Sequence, residues 1–329
     1  MDVLKSPLSA RNLTPGYKSC VLHAQDSWEE AIAQGRHDFF NKLEHKLQSE
    51  GIKTYLVADG SRTAKGLLPD RHLHIMVRDE PLFAPSVLHA MPSYIWGFWY
   101  FDEVGVRWNS SLRFAQFCAH DVDAQAAEYF FNGVSGWMLR ENVSKISQGA
   151  RNDAPLTPAT AVIFLQDIEG YQQRSWYLTT EEMITTTAQA AGAGMVYVKF
   201  HPQQTKASRK RLTELCARHP NLRLSDASLH DLIEASQMVV TQNSAAGFEA
   251  LMQRKTVITC AKTDFWHATL TPRSTEDLKA AIEFGPEAMA DFPFEKYFYW
   301  FLDRMCLEPS KDNFEDRLWA RIREKLMVI

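Results

Sequence analysis

Short apolar runs separated by amphipathic stretches set the outline of the chain. In the first half, TYLVAD (54–59), HLHIMV (72–77) and SYIWGFWYF (93–101) are rich in β-branched and aromatic residues. Each is followed by loop residues, the pattern of strands buried in a sheet. SWEEAIAQGRHDFFNKLEHKLQSEG (27–51) has helical spacing, with Ser27 as a start signal and Gly51 as a stop. DAQAAEYFFNGV (123–134) predicts a second helix and ENVSKISQ (141–148) a third. Residues 147–160, SQGARNDAPLTPAT, contain two prolines and no periodicity, and predict a linker.

Beyond residue 160 the alternation is more regular. AVIFLQ, MVYVKFHP, LRLSD, MVVTQ and TVITCA read as strands. Between them, TTEEMITTTAQAAGAG, KASRKRLTELCARHP, SLHDLIEAS and AGFEALMQRK read as helices. Strands and helices at this spacing predict right-handed βαβ units and a parallel sheet. The C-terminal stretches FEKYFYWFLDRMCLEPS and FEDRLWARIREKLMV read as aromatic-rich helices that pack back toward the first domain. The fold class expected is therefore α/β, with two Rossmann-like domains facing across a cleft, residues 1–150 forming the first and 151–329 the second. Ligands of such sheets sit at the carboxyl ends of the strands.

Composition narrows the classes. The 329 residues fit two domains of ordinary size. With 45% hydrophobic residues and a mean hydropathy of -0.30, the chain is globular, and no run of apolar residues is long enough to span a bilayer. The N-terminus lacks the apolar centre of a signal peptide. Five cysteines are scattered without metal-ligand spacing, which predicts no metal and a reducing, cytoplasmic setting. A formal charge of -4 offers no global field for nucleic acid, and the basic run KASRKR (206–211) reads as a solvated helix face.

Neither a dinucleotide-binding fingerprint, a P-loop, a nucleophile elbow nor a zinc-protease motif is present. Three strand ends in the second half carry unusual polar residues instead. After AVIFL come Gln166, Asp167 and Glu169, where a carboxylate is either a nucleophile or base, or a helix cap in a solvated loop. YVKFHP delivers Lys199 and His201 to one face of a strand end, a pairing suited to an anion. TQNSAAGFEAL presents Gln242, Asn243, Ser244 and Ala245 at a helix start, with free amides and small side chains where a phosphate can approach. There Gly247 removes bulk, and Glu249 is placed to accept from ribose hydroxyls. In the first half, FDEVGVRWNSSL (101–112) gathers Asp102, Arg107, Ser110 and Ser111 as a sugar- or acceptor-binding loop. Its Arg107 can pair with a substrate carboxylate or with Asp102 or Glu103. Arg62, Lys65, His72 and His74 stand near other strand ends.

KFHP followed by VVTQNSAAGFEALMQRKTVIT resembles the capsule polysaccharide biosynthesis family, which includes bacterial β-Kdo transferases of GT-B fold. FDEVGVRWNSSL and KTDFWHAT resemble further loops of that family. The resemblance implies a glycosyltransferase that moves a sugar, Kdo or a related one, from a CMP-activated donor to a glycan or lipid-linked acceptor. It implies no other cofactor, and a lipid-linked acceptor would bring the chain to a membrane surface. His201 and Ser244 would hold the donor phosphate and Glu249 would lie near the ribose. The family's nucleophile is an Asp four residues after a strand-ending Gln; here Gly170 stands at that place, with Glu169 and Asp167 before it. That departure leaves open which carboxylate acts and whether configuration is retained. A CDP-glycerol-type phosphotransferase, a sugar-nucleotide epimerase and a non-catalytic scaffold of the same fold are the alternatives.

Overall fold

The computed structural model describes residues 1–10, 13, 19–70, 72–170 and 174–328. Contacts gather the chain into two compact units, one of Met1–Ala115 with Leu302–Ile329, the other of Gln116–Phe301. Each is built on its own largely parallel sheet, so the α/β class with two Rossmann-like sheets stands.

The first unit carries strands β1 (Asp2–Val3), β2 (Ser19–Ala24), β3 (Lys53–Ala58), β4 (Leu73–Val77), β5 (Val87–Pro92) and β6 (Trp99–Asp102), in the order β1-β3-β2-β4-β5-β6. All pairings are parallel except that of β5 with β6. The run at 93–101 is mostly not a strand. Gly97 adopts φ +88 and turns the chain back, so only its last residues pair, antiparallel to β5. The long amphipathic stretch likewise breaks into two helices, Asp26–Ala33 and Asp38–Ser49, around Gly35 at φ +66. Both exceptions follow from glycine's tolerance of positive φ, which ends regular structure locally.

The C-terminal stretch joins this unit through its backbone and its aromatics. Trp99 and Leu307 exchange two backbone hydrogen bonds, of 2.8 and 2.9 Å. Phe39 stacks on Trp99 at 4.7 Å and meets Phe314 edge-on at 5.5 Å. Arg321 donates from Nη1 to the Phe101 carbonyl at 2.9 Å.

The second unit contains β7 (Ala159–Phe164), β8 (Val196–Lys199), β9 (Leu222–Leu224), β10 (Ser236–Thr241) and β11 (Thr256–Thr259), all parallel, in the order β11-β10-β7-β8-β9. Ile163, Val198, Val240 and Ile258 form a continuous apolar layer with Met183, Ile184, Leu212 and Leu278 from the covering helices. The polar stretch 147–160, expected to divide the chain near residue 150, lies inside this unit. Arg151 explains why: it pairs with Asp231 and Glu234 of helix Leu229–Ala235. The segment 141–148 forms no helix. Ser144 there is a buried partner of Glu249, and Asn142 takes φ +52.

Candidate active site

The second sheet has one place where its strand order reverses. From β7 the chain moves outward to β8 and β9, then returns to the other side of β7 for β10 and β11. Crevices at the carboxyl ends of strands at such a point are where α/β sheets bind ligands. All three unusual strand ends meet here. Phe164, Lys199 and Thr241 stand in one register row, and Gln166, His201 and Asn243 each lie two residues beyond it.

The arrangement differs from a simple pairing of two adjacent strands. β8 and β10 are separated by β7, so their ends are two strand spacings, about 10 Å, apart. Gln166 connects the middle to one side: its Oε1 accepts from the Asn243 amide at 2.9 Å. Below it, Thr241 donates from Oγ1 to the Phe164 carbonyl at 2.9 Å.

The carboxylates after β7 have distinct surroundings. Glu169 is half-buried and its Oε1 accepts from the Thr180 amide at 2.6 Å. It therefore serves the start of helix Thr180–Ala190, alongside the capping box of Thr179 and Glu182. Asp167 is exposed and has no hydrogen-bond partner among the described residues. Of the two, Asp167 is the carboxylate that the described residues do not engage.

At β8, Lys199 and His201 also divide. Lys199 donates from Nζ to the carbonyls of Asp226 (3.2 Å) and Ala227 (2.6 Å), tying the strand to the loop after β9. Burial lowers its pKa, opposed by Asp226. The expected phosphate cation is thus occupied by loop carbonyls, because its strand end is flanked by the β9 turn. His201 Nδ1 accepts from the Gln203 amide at 3.2 Å. Burial lowers its pKa, favouring the neutral ring. With Nδ1 accepting, the neutral ring carries its proton on Nε2, where it is available as a donor.

In the third motif, Ser244 is the N-cap of helix Ala245–Ala250, accepting from the Ala246 amide at 3.2 Å. The Ser244 and Ala245 amides have no acceptor among the described residues. Gln242 points inward: it is fully buried and donates from Nε2 to the Leu178 carbonyl at 3.4 Å. Asn243 donates from Nδ2 to the Lys262 carbonyl at 3.0 Å. Both side chains hold neighbouring loops and the Asn243 backbone amide is spent on Gln166, so the donors left at this strand end are the Ser244 and Ala245 amides.

Gly247 has a different reason from the one expected. A Cβ there would come 3.1 Å from Thr241 Cγ2 and 3.3 Å from Val257 Cγ1. It faces the sheet, not a ligand, and lets the helix approach β10 and β11. Gly247→Ala is expected to cost about 1–3 kcal/mol by overpacking. Urea unfolding measures it, and an unchanged midpoint would refute the close fit.

Glu249 is buried at 1% exposure. Its Oε1 accepts from Ser144 Oγ at 3.0 Å and the Lys145 amide at 3.3 Å, while Oε2 has no partner among the described residues. Burial raises its pKa to about 7, against the lowering effect of those two hydrogen bonds. The Ser144 partnership was not readable in the sequence, since the two residues lie 105 positions apart.

In the first unit, the loop after β6 is organised by its own acid. Asp102 is buried and accepts from the amides of Val104 (2.7 Å), Gly105 (3.1 Å) and Ser111 (3.0 Å), and from Ser111 Oγ (2.5 Å). Ser110 is fully buried. Arg107 pairs with Asp79 at 2.7 Å rather than with Asp102 or Glu103, because Asp102 is consumed by loop amides. These residues shape the loop; Asp102 and Ser110 are buried, while Arg107 and Ser111 are partly exposed. Among the described residues no cluster of His, Cys, Asp and Glu could hold a metal ion, and no helix is long and apolar enough to cross a membrane.

Residues 138–282, which contain all three strand-end motifs, match the family model described as capsule polysaccharide biosynthesis protein. Over those residues the chain is similar to the capsule polysaccharide biosynthesis family. No curated protein matches the chain. Among solved structures, the KpsC β-Kdo 2,7 transferase of Thermosulfurimonas dismutans is 16% identical, with a TM-score of 0.50, covering 80% of this chain and 89% of its own. The β-Kdo 2,4 transferase of the same organism's KpsC gives 16% and 0.46, over 79% and 89%. Anabaena HepE in complex with UDP and glucose gives 10% and 0.42, over 95% and 100%. At these identities the likeness concerns fold, and it is that of GT-B glycosyltransferases. The family segment includes β7 through β11, so the switch point lies wholly within it.

Proposed function

We propose that the chain is a glycosyltransferase of capsule or surface polysaccharide synthesis. It takes a sugar from a nucleotide-activated donor, CMP-linked and of the Kdo type, and passes it to a glycan or lipid-linked acceptor. The donor lies at the carboxyl ends of β7, β8 and β10. The Gln166–Asn243 hydrogen bond carries this reading, because it fixes the two motifs against each other at the sheet's switch point.

The roles follow from which groups the fold leaves available. His201 Nε2–H and the Ser244 and Ala245 amides donate to phosphate oxygens. As the glycosidic bond to phosphate breaks, these donors stabilise the charge gathering on the leaving group. Asp167 is the carboxylate free to attack the anomeric carbon or to take the acceptor's proton. A lipid-linked acceptor would require work at a membrane surface, with the chain associating peripherally.

Calorimetric titration with CMP and, separately, UDP tests the donor site. His201→Ala is expected to weaken CMP binding by roughly tenfold to a hundredfold, the loss of a hydrogen bond to a charged group. Binding of UDP alone would overturn the cytidine assignment. Failure of both nucleotides would remove the donor-site reading.

A further inference from the structure

The first sheet also reverses its strand order, around β2, with β3 on one side and β4 on the other. Ala24, Ala58 and Val77 stand in one register row across these strands. The next residue of each is polar: Gln25, Asp59 and Arg78. The Asp59 side chain is 2% exposed and its Oδ2 accepts from Arg78 Nη1 at 2.8 Å and Gln25 Nε2 at 3.1 Å. Oδ1 accepts from the Gly60 amide at 2.9 Å.

One buried carboxylate therefore orients two more accessible groups. Because Gln25 donates its amide nitrogen inward, its Oε1 remains as an acceptor. Arg78 spends Nη1 on Asp59 and Nε on the Glu80 carbonyl (3.2 Å), so Nη2 remains as a donor. Neither remaining group has a partner among the described residues. Arg78 and Asp59 cancel in charge. Behind them His23 is buried, and burial together with His74 pushes its pKa down to about 3, so it adds no charge.

We infer that Gln25 and Arg78, held by Asp59 at the carboxyl edge of β2, β3 and β4, form a binding site for neighbouring hydroxyl groups of an uncharged saccharide. An oriented acceptor beside an oriented donor matches two vicinal hydroxyls, each of which both donates and accepts. The compensated guanidinium gives an anion little advantage, which selects a neutral sugar over a sugar acid. The glycosyl-transfer reading enters only in naming this saccharide the acceptor; the site itself stands on the first unit alone.

Saturation-transfer NMR on the full chain with maltose, lactose and glucuronic acid at millimolar concentration tests it. Transfer to a neutral disaccharide is expected, weakened about fivefold in Gln25→Ala, as for loss of one net hydrogen bond. Gln25→Ala removes one of three donors to Asp59, so it is compared at a temperature where its melt shows it folded, and Arg78→Lys should weaken binding while keeping the charge. No transfer to either disaccharide, equal transfer in Gln25→Ala, or preference for glucuronic acid would each overturn the inference. CMP titration of the same samples reads the second unit independently, so failure here and failure of the donor site are separable.

Discussion

Asp167→Asn is expected to lower CMP-Kdo turnover roughly 10²- to 10⁴-fold while leaving CMP affinity nearly unchanged. The substitution keeps size and polarity and removes only the charge and basicity. The residue is exposed and without a partner among the described residues, so stability should not move. Glu169→Ala provides the contrast. Its carboxylate holds the Thr180 amide at a helix start, and its loss should cost about 1 kcal/mol of stability with a smaller effect on turnover. Steady-state turnover with parallel thermal melts distinguishes the two. If Glu169→Ala abolished turnover and Asp167→Asn preserved it, the assignment would be reversed. Full turnover in the double variant would take both carboxylates out of the chemistry.

Glu249 should dominate the pH dependence of stability in the second unit. Its pKa is raised from 4.5 to about 7, chiefly by burial. In that interval the folded chain retains a proton that the unfolded chain releases. Stability is therefore unpenalised below pH 4.5, falls as pH rises through the interval, and bears the full cost above 7. That cost is about 3 kcal/mol. Glu249→Gln removes the titration while keeping an oxygen for Ser144 and the Lys145 amide. Denaturant unfolding at pH 5 and pH 8 should show wild type losing stability relative to the variant by roughly that amount. Parallel pH profiles for the two proteins would show that the buried carboxyl does not titrate in this range. A nucleotide hydroxyl reaching Oε2 would instead favour the charged form, so CMP should reduce the difference at pH 8.

Local patterning was enough for the second sheet. Its five strands are apolar runs ended by polar residues or by a proline shortly after, and each intervening helix has its own start and stop signals. The first sheet was harder to read. SCVLHA, the central β2, is a buried strand in which Ser19 and His23 interrupt the apolar pattern, though both are buried in the fold. Conversely, 93–101 is apolar throughout yet turns at Gly97, because burial and strand pairing are separate properties. Where the chain divides into units was hidden for a similar reason. A polar, proline-containing stretch resembles a linker until Arg151 is seen anchored to Asp231.

Residue type and spacing thus determined by themselves that this is an α/β chain with polar strand ends suited to an anion, and which motifs resemble a capsule-synthesis family. Only the tertiary structure decided which polar groups remain available for chemistry. Lys199, Gln242, Asn243 and Glu169 all looked equivalent to His201 and Asp167 along the sequence. Their hydrogen-bond partners lie between 11 and 64 residues away along the chain, and only folding brings those together. A buried or loop-facing polar group is satisfied by whichever backbone lies nearest, and that neighbour is a property of the fold rather than of the residue. The same reasoning turned Gly247 from a space for a ligand into a space for the sheet.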